Sequence, residues 1–198
     1  SKVTRIRKAL RELHADGMLV SALDDIAWTL NLRGTDVHCN PVFVSYLLIE
    51  SGKVSLFVDD NKLSPEVKQY LQDNQVSLYN YNKVEKCLES YSEYNILLDG
   101  DETSYYLWKT VKCQEIVAAA SPIPAMKAVK NEAEIEGYRS AMLKDGVAMV
   151  KFLKWLKPAV EVGGQTEISI GEKLTSLRAE QKLFRDISFD TIAGYAQH

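Results

Sequence analysis

Between Met18 and Ala118 the chain alternates short apolar runs with helical stretches, and one pair of runs is joined by a turn of only two or three residues. Val42–Glu50 and Lys53–Val58 flank Ser51-Gly52, and two apolar segments at that separation can only fold back on each other as a β-hairpin. A hairpin supplies two antiparallel strands. The remaining runs, Met18–Leu23, Val76–Tyr79, Ile96–Leu98 and Glu115–Ala118, are separated by helix-length segments, as parallel crossovers require. The pattern predicts an α/β fold, a mixed sheet flanked by helices.

The helical segments carry their own punctuation. Val3, Ile6, Leu10 and Leu13 recur at helical spacing through Thr4–Ala15, with Asp16-Gly17 expected to close that helix. Asp24 is expected to cap Asp25–Leu30, with the acids suiting the helix dipole. Ser64-Pro65 opens a helix to about Asp73, Ser as cap and Pro in the first turn. Helices are also expected over Lys83–Tyr91 and Thr103–Thr110. Ser121-Pro122-Ile123-Pro124 interrupts the pattern, predicting an extended connection and a boundary between a first domain, 1–124, and a second, 125–198.

In the second part Asn131 and Glu134 have capping-box spacing ahead of a long helix through Tyr138, Met142, Val150 and Trp155, which Pro158 should end. Thr166 should cap another helix through Ile170, Leu174 and Leu177. Ser188–Ala193 is strand-like, with Phe189, Thr191 and Ile192 before Gly194. Two helices and one strand cannot close a core, so this second unit is expected to be part of a larger domain.

Composition narrows the function classes. The 198 residues are 46% hydrophobic and 26% charged, with a formal net charge of −3. That balance offers no basic excess to replace counterions on a nucleic-acid backbone, and no apolar run reaches membrane-spanning length. Cys39, Cys87 and Cys113 form no C-x-x-C pair and are expected to be reduced thiols. No P-loop, G-x-G-x-x-G or G-x-S-x-G element occurs.

Candidate chemistry is sparse. His14 and His38 have no partner at ligand spacing, and His198 is the last residue. The acid groups Asp24-Asp25, Asp59-Asp60 and Asp99-Gly100-Asp101-Glu102 sit where strands give way to turns or helices, where capping explains them. The last group resembles a calcium loop for four residues but has no acid at the twelfth position. The aromatic residues Tyr79, Tyr81, Tyr91, Tyr94, Tyr105, Tyr106 and Trp108 are expected to serve packing.

One stretch is more distinctive than these. Ser21-Ala22-Leu23-Asp24-Asp25-Ile26-Ala27-Trp28-Thr29-Leu30-Asn31-Leu32-Arg33-Gly34, followed by Asn40-Pro41-Val42-Phe43, resembles the middle domain of three-domain Xaa-Pro aminopeptidases of the creatinase and prolidase group. Pro122-Ile123-Pro124 with Lys127, Lys130-Asn131-Glu132 with Glu134-Ile135, Asp145-Gly146-Val147-Ala148 and Phe189-Asp190-Thr191-Ile192 resemble the passage into their catalytic domain.

That resemblance implies a creatinase N-terminal-like domain followed by an incomplete pita-bread metallopeptidase domain. It implies hydrolysis of the bond before proline in Xaa-Pro peptides by a hydroxide bridging two divalent metals, often manganese, held by two Asp, one His and two Glu. Those five ligands are expected beyond His198, so that residues 1–198 hold no catalytic or metal residue and are inert alone. A domain similar to the middle one precedes it in such relatives. Of the residues present, only Phe189 falls where a substrate pocket is walled, the alternative being a core strand aromatic. The resemblance also implies a cytoplasmic homodimer. Two alternatives are a metal-free pita-bread module that binds proteins, and a prolidase or creatinase.

Overall fold

The computed structural model describes residues 1–91 and 95–197; Tyr94 and His198 lie outside them. The chain divides into two compact units, residues 1–37 with 41–129, and residues 38–40 with 130–198.

The first unit is a six-stranded sheet in the order β4-β3-β2-β1-β5-β6. Its strands are β1 (Gly17–Val20), β2 (Ser45–Glu50), β3 (Val54–Val58), β4 (Val76–Asn80), β5 (Ile96–Leu98) and β6 (Ile116–Ala118). The expected hairpin is β2–β3, antiparallel, with Leu47 opposite Leu56. β1 joins β2 antiparallel, while β1–β5, β3–β4 and β5–β6 are parallel. The sheet is therefore mixed, as the alternation of elements requires.

Strand periodicity divides the side chains between two buried faces. Met18, Val20, Leu47, Ile49, Leu56 and Val58 enter one core, with Ile6 and Leu10 of α1 (Lys2–Glu12), Ile26 of α2 (Leu23–Leu30), Leu71 of α3 (Pro65–Asp73) and Ile123 of α6 (Ile123–Ala128). Leu19, Leu48 and Phe57 enter the other, with Val84 and Leu88 of α4 (Val84–Glu89) and Leu107 of α5 (Tyr105–Thr110). All five residues of β3, Val54–Val58, are buried, Ser55 among them, because both faces of this strand are covered.

Several local expectations are corrected. α1 ends at Glu12 with Leu13 as its C-cap, His14 turns the chain in the left-handed region at φ 57°, and Gly17 instead opens β1. A Cβ on Gly17 would collide with the Tyr91 hydroxyl and come within 3.1 Å of the Ile49 carbonyl oxygen. Asp24 is not the cap of α2, whose N-cap is Ala22 with no side-chain bond. Ser121–Pro124 is not an extended connection. Pro122 caps α6 and Pro124 lies in its first turn, where a missing N–H costs nothing.

The C-terminal end of α2 explains the Asn31-Leu32-Arg33-Gly34 stretch. Asn31 takes the left-handed conformation that stops the helix, φ 54°, which Asn tolerates better than most residues. Arg33 Nη1 then donates to the carbonyls of Ala27 (3.1 Å) and Leu32 (2.8 Å), fastening the chain after the helix back onto its last turn. Gly34 lies against the returning chain: a Cβ there would sit 2.7 Å from Phe43 Cβ and 2.8 Å from the Val42 carbonyl oxygen. Gly34→Ala is expected to destabilise the first unit by about 2 kcal/mol, because backbone must shift to admit the methyl group. Urea unfolding measures it.

The second unit is an antiparallel pair, α7 (Glu132–Val162) and α8 (Glu167–Ala179). Both expected caps form: Asn131 and Glu134 exchange bonds of 2.9 Å, and Thr166 accepts from the Ser169 N–H at 3.0 Å. Pro158 does not end α7, which continues to Val162. A proline removes one backbone bond but keeps helical φ; Gly163 (φ 86°) and Gly164 (φ 79°) end the helix instead. Ala148, Phe152, Leu174 and Leu177 form a small core, while Met142, Leu143, Val150 and Leu153 of α7 stay exposed.

Ser188–Ala193 forms no strand. A strand is held by the ladder it joins, and α7 and α8 offer only helical neighbours. The segment follows α8 instead: Thr191 packs on Gly171, and the Tyr195 N–H donates to Glu167 Oε1 at 3.0 Å.

Candidate functional site

The acid groups singled out in the sequence fall into structural roles. Asp59 caps a 3-10 turn, and Asp60 pairs with Lys68 at 2.7 Å. Asp99 accepts from the N–H groups of Asp101 (3.0 Å) and Ser121 (2.7 Å), tying the turn after β5 to the start of the α6 connection.

Asp24 and Asp25 do more than start a helix. Both accept from Lys127 Nζ of α6, Asp25 Oδ1 at 2.6 Å. The Asp25 side chain is 3% exposed and that of Lys127 25%. Burial raises the Asp25 carboxyl above its usual range even though Lys127 works against it. Burial also pulls Lys127 down, but the hydrogen bonds from Asp24 and Asp25 outweigh it and raise the ammonium overall. The directions are consistent: one cation serves two carboxylates, so the lysine is over-compensated and the buried acid under-compensated. These carboxylates are neutralised from within the first unit.

In the second unit a cleft of about 570 Å³ opens between α7 and the chain after α8, lined by Gly137, Ala141, Met142, Phe184 and Ile187. Arg178 crosses its edge and grips Asp145 with Nε–Oδ1 at 2.6 Å and Nη2–Oδ2 at 3.3 Å. This two-pronged pair fixes α8 on α7. Phe189 is not among the cleft's lining residues; it stands 67% exposed next to Ser188, which is.

The structure also brings together residues that sequence spacing keeps apart. The tip of the loop after α2, His38–Asn40, belongs to the second unit. There His38 Nε2 lies 3.1 Å from Asp190 Oδ1 and 3.3 Å from Cys39 Sγ. The bond to Asp190, reinforced by its charge and that of Asp186, raises the His38 imidazolium pKa. Burial first, then Asp190 and Asp186, raises the Cys39 thiol. Asp190 is 152 positions from His38, so the expectation that His38 lacks a partner is corrected by tertiary structure alone. His14 is an exposed helix-terminal turn residue.

A dinuclear centre of two Asp, one His and two Glu does not fit the described residues. Their single convergence of three or more metal-ligating side chains is His38, Cys39 and Asp190, which contains no Glu. Among the described residues no helix is long and apolar enough to cross a membrane.

Comparison with known proteins places the chain. It is 38% identical over 199 residues to Xaa-Pro aminopeptidase 1 of Dictyostelium discoideum, covering 98% of this chain and 31% of that protein. It is 37% identical over 195 residues to the Xaa-Pro aminopeptidase ApepP of Drosophila melanogaster, covering 96% and 32%. The crystal structure of X-prolyl aminopeptidase from Caenorhabditis elegans, described as a cytosolic enzyme with a di-nuclear active site, superposes with a TM-score of 0.89 at 30% identity. The match covers 98% of this chain and 33% of that one. The chain thus spans about a third of the length of the relatives it matches. Residues 1–134 match the family described as the Creatinase/Prolidase N-terminal domain, and with its six-stranded mixed sheet and flanking helices the chain belongs to that family.

Proposed function

We propose that the chain is the part of an Xaa-Pro aminopeptidase that comprises its middle domain, residues 1–124, and the opening of its pita-bread catalytic domain, residues 125–198. The observation that carries this reading is the superposition on the C. elegans enzyme, which spans both units at a TM-score of 0.89. The whole protein removes the N-terminal residue from Xaa-Pro peptides. It uses two divalent metals, manganese in our reading, whose ligands belong to the rest of the catalytic domain.

Within this reading the residues at hand have supporting roles. The exposed apolar side chains of α7 form a face on which the rest of the catalytic domain folds. Phe189 walls the substrate pocket, offering apolar surface to a bound peptide. Cytoplasmic location and a homodimer assembled through the middle domain complete the proposal; the first is supported by the description of the C. elegans protein as cytosolic.

The test compares two chains with an Xaa-Pro peptide and added manganese. The 198-residue chain is expected to be inert, and the chain extended through the remaining catalytic segment active. In the extended chain Phe189→Ala is expected to raise KM about tenfold, the loss of one buried aromatic contact, with less effect on kcat. Activity of the 198-residue chain alone would overturn the assignment of the metal ligands. An inactive extended chain would overturn the enzyme reading in favour of a protein-binding module.

A further inference from the structure

We propose that His38, Cys39 and Asp190 form a site for a borderline-soft divalent cation of the zinc class. The three side chains supply imidazole, thiolate and carboxylate, the donor types zinc takes up together. Their ligand atoms all lie within 4.8 Å of one another. A tetrahedral ion with metal–donor distances of about 2.0–2.3 Å has donor–donor edges of about 3.3–3.8 Å. The observed separations of 3.1 Å (His38 to Asp190) and 3.3 Å (His38 to Cys39) fall just below and at the lower end of that range. An outward movement of a few tenths of an ångström admits the ion, and the side chains are free to make it, since His38 is 71% and Asp190 79% exposed.

The backbone presents the donors together. His38 and Cys39 occupy the tip of a tight turn. At its base the Gly34 N–H donates to the Pro41 carbonyl and the Asp36 N–H to the Val42 carbonyl, each at 3.2 Å. Cys39 takes φ 59°, a left-handed position that Gly or Asn would occupy at less cost. One short turn therefore delivers nitrogen and sulfur to the same point, and Asp190 closes the site from the far end of the chain.

Charge favours a dication. Asp186 and Asp190 both act on His38 and on Cys39, so the site lies in a negative field that attracts a cation. A bound dication reverses that field. The thiol yields one proton to solvent, the sulfur–metal bond forms, and the neutral imidazole and the carboxylate complete three of four positions, with water in the fourth. No electron moves.

The experiment is a titration of the reduced 198-residue protein with Co²⁺, followed by displacement with Zn²⁺. A thiolate-to-cobalt charge-transfer band is expected, with visible bands of tetrahedral intensity, both removed by Zn²⁺ and both absent in Cys39→Ser. His38→Ala and Asp190→Asn are each expected to weaken binding about tenfold or more, since even indirect partners of metal ligands are worth that much. Cys87→Ser/Cys113→Ser should retain the band. His38 and Asp190 are largely exposed and Cys39 is half-buried, and unchanged circular dichroism verifies the fold of each variant. A missing band overturns the site, as does a band that survives Cys39→Ser. A band unaffected by both His38→Ala and Asp190→Asn would reduce it to a lone thiolate and overturn it equally.

Discussion

Lys127→Met is expected to lower the stability of the first unit by about 3–5 kcal/mol at neutral pH. The substitution keeps most of the side chain's apolar stem but leaves Asp25, 3% exposed in its side chain, without its cation. Removing one partner of a buried pair costs that much because the other charge stays desolvated. Asp24 adds a second negative charge close by, which deepens the penalty.

The pH dependence has a definite sign. The folded Asp25 carboxyl already titrates above its ordinary value near 3.8. Its contribution to stability is therefore full below the unfolded value and is lost as pH rises through the folded one. Without Lys127 that folded value rises further, so the deficit of Lys127→Met should be largest at pH 7 and shrink toward pH 5. Adding Asp25→Asn removes the stranded charge, and the double variant should recover about half the loss. Urea midpoints of the four proteins at both pH values measure all of this. A deficit independent of pH, or a double variant worse than the sum of its parts, would refute the account.

The second large effect belongs to Ile123. The residue stands between two prolines, where the sequence predicts an extended connection, yet it is 0% exposed and part of the first unit's core. Ile123→Ala should cost about 3 kcal/mol, the transfer of the lost atoms plus the cavity they leave. Val129, at the far end of the same connection, is 73% exposed; Val129→Ala should change stability by no more than about 0.5 kcal/mol. Comparable small losses at both positions would mean that α6 packs only loosely on the sheet.

Much of the first unit could be read from the chain. The hairpin β2–β3 was legible because Ser51-Gly52 leaves its flanking runs nowhere else to go. The Ser64-Pro65 and Asn131–Glu134 helix starts were legible because their caps are satisfied within four residues. Local hydrogen bonding decides such features, and local sequence records it. The family resemblance was equally visible in Asn31-Leu32-Arg33-Gly34, where the structure supplies the reason: a left-handed stop, a guanidinium reaching back to the helix's last turn, and a glycine against returning backbone.

Other features were decided at long range. Asp24 has the right identity and position for a helix cap, but Lys127, about a hundred residues away, claims it. Pro122 and Pro124 lower helix propensity on paper, yet the first turn of a helix needs no N–H there, and burial of Ile123 draws the segment onto the sheet. Phe189 and Ile192 have strand propensity, but propensity without a ladder leaves backbone groups unpaired, so Ser188–Ala193 follows α8 as an irregular segment. His38 illustrates the limit most sharply. By itself the sequence determined the hairpin, the capped starts of α3, α7 and α8 and the family, because each rests on groups a few residues apart. Only the tertiary structure could set Asp25 against Lys127 and His38 and Cys39 against Asp190, because a contact across a hundred or more residues leaves no local signal for charge or metal affinity.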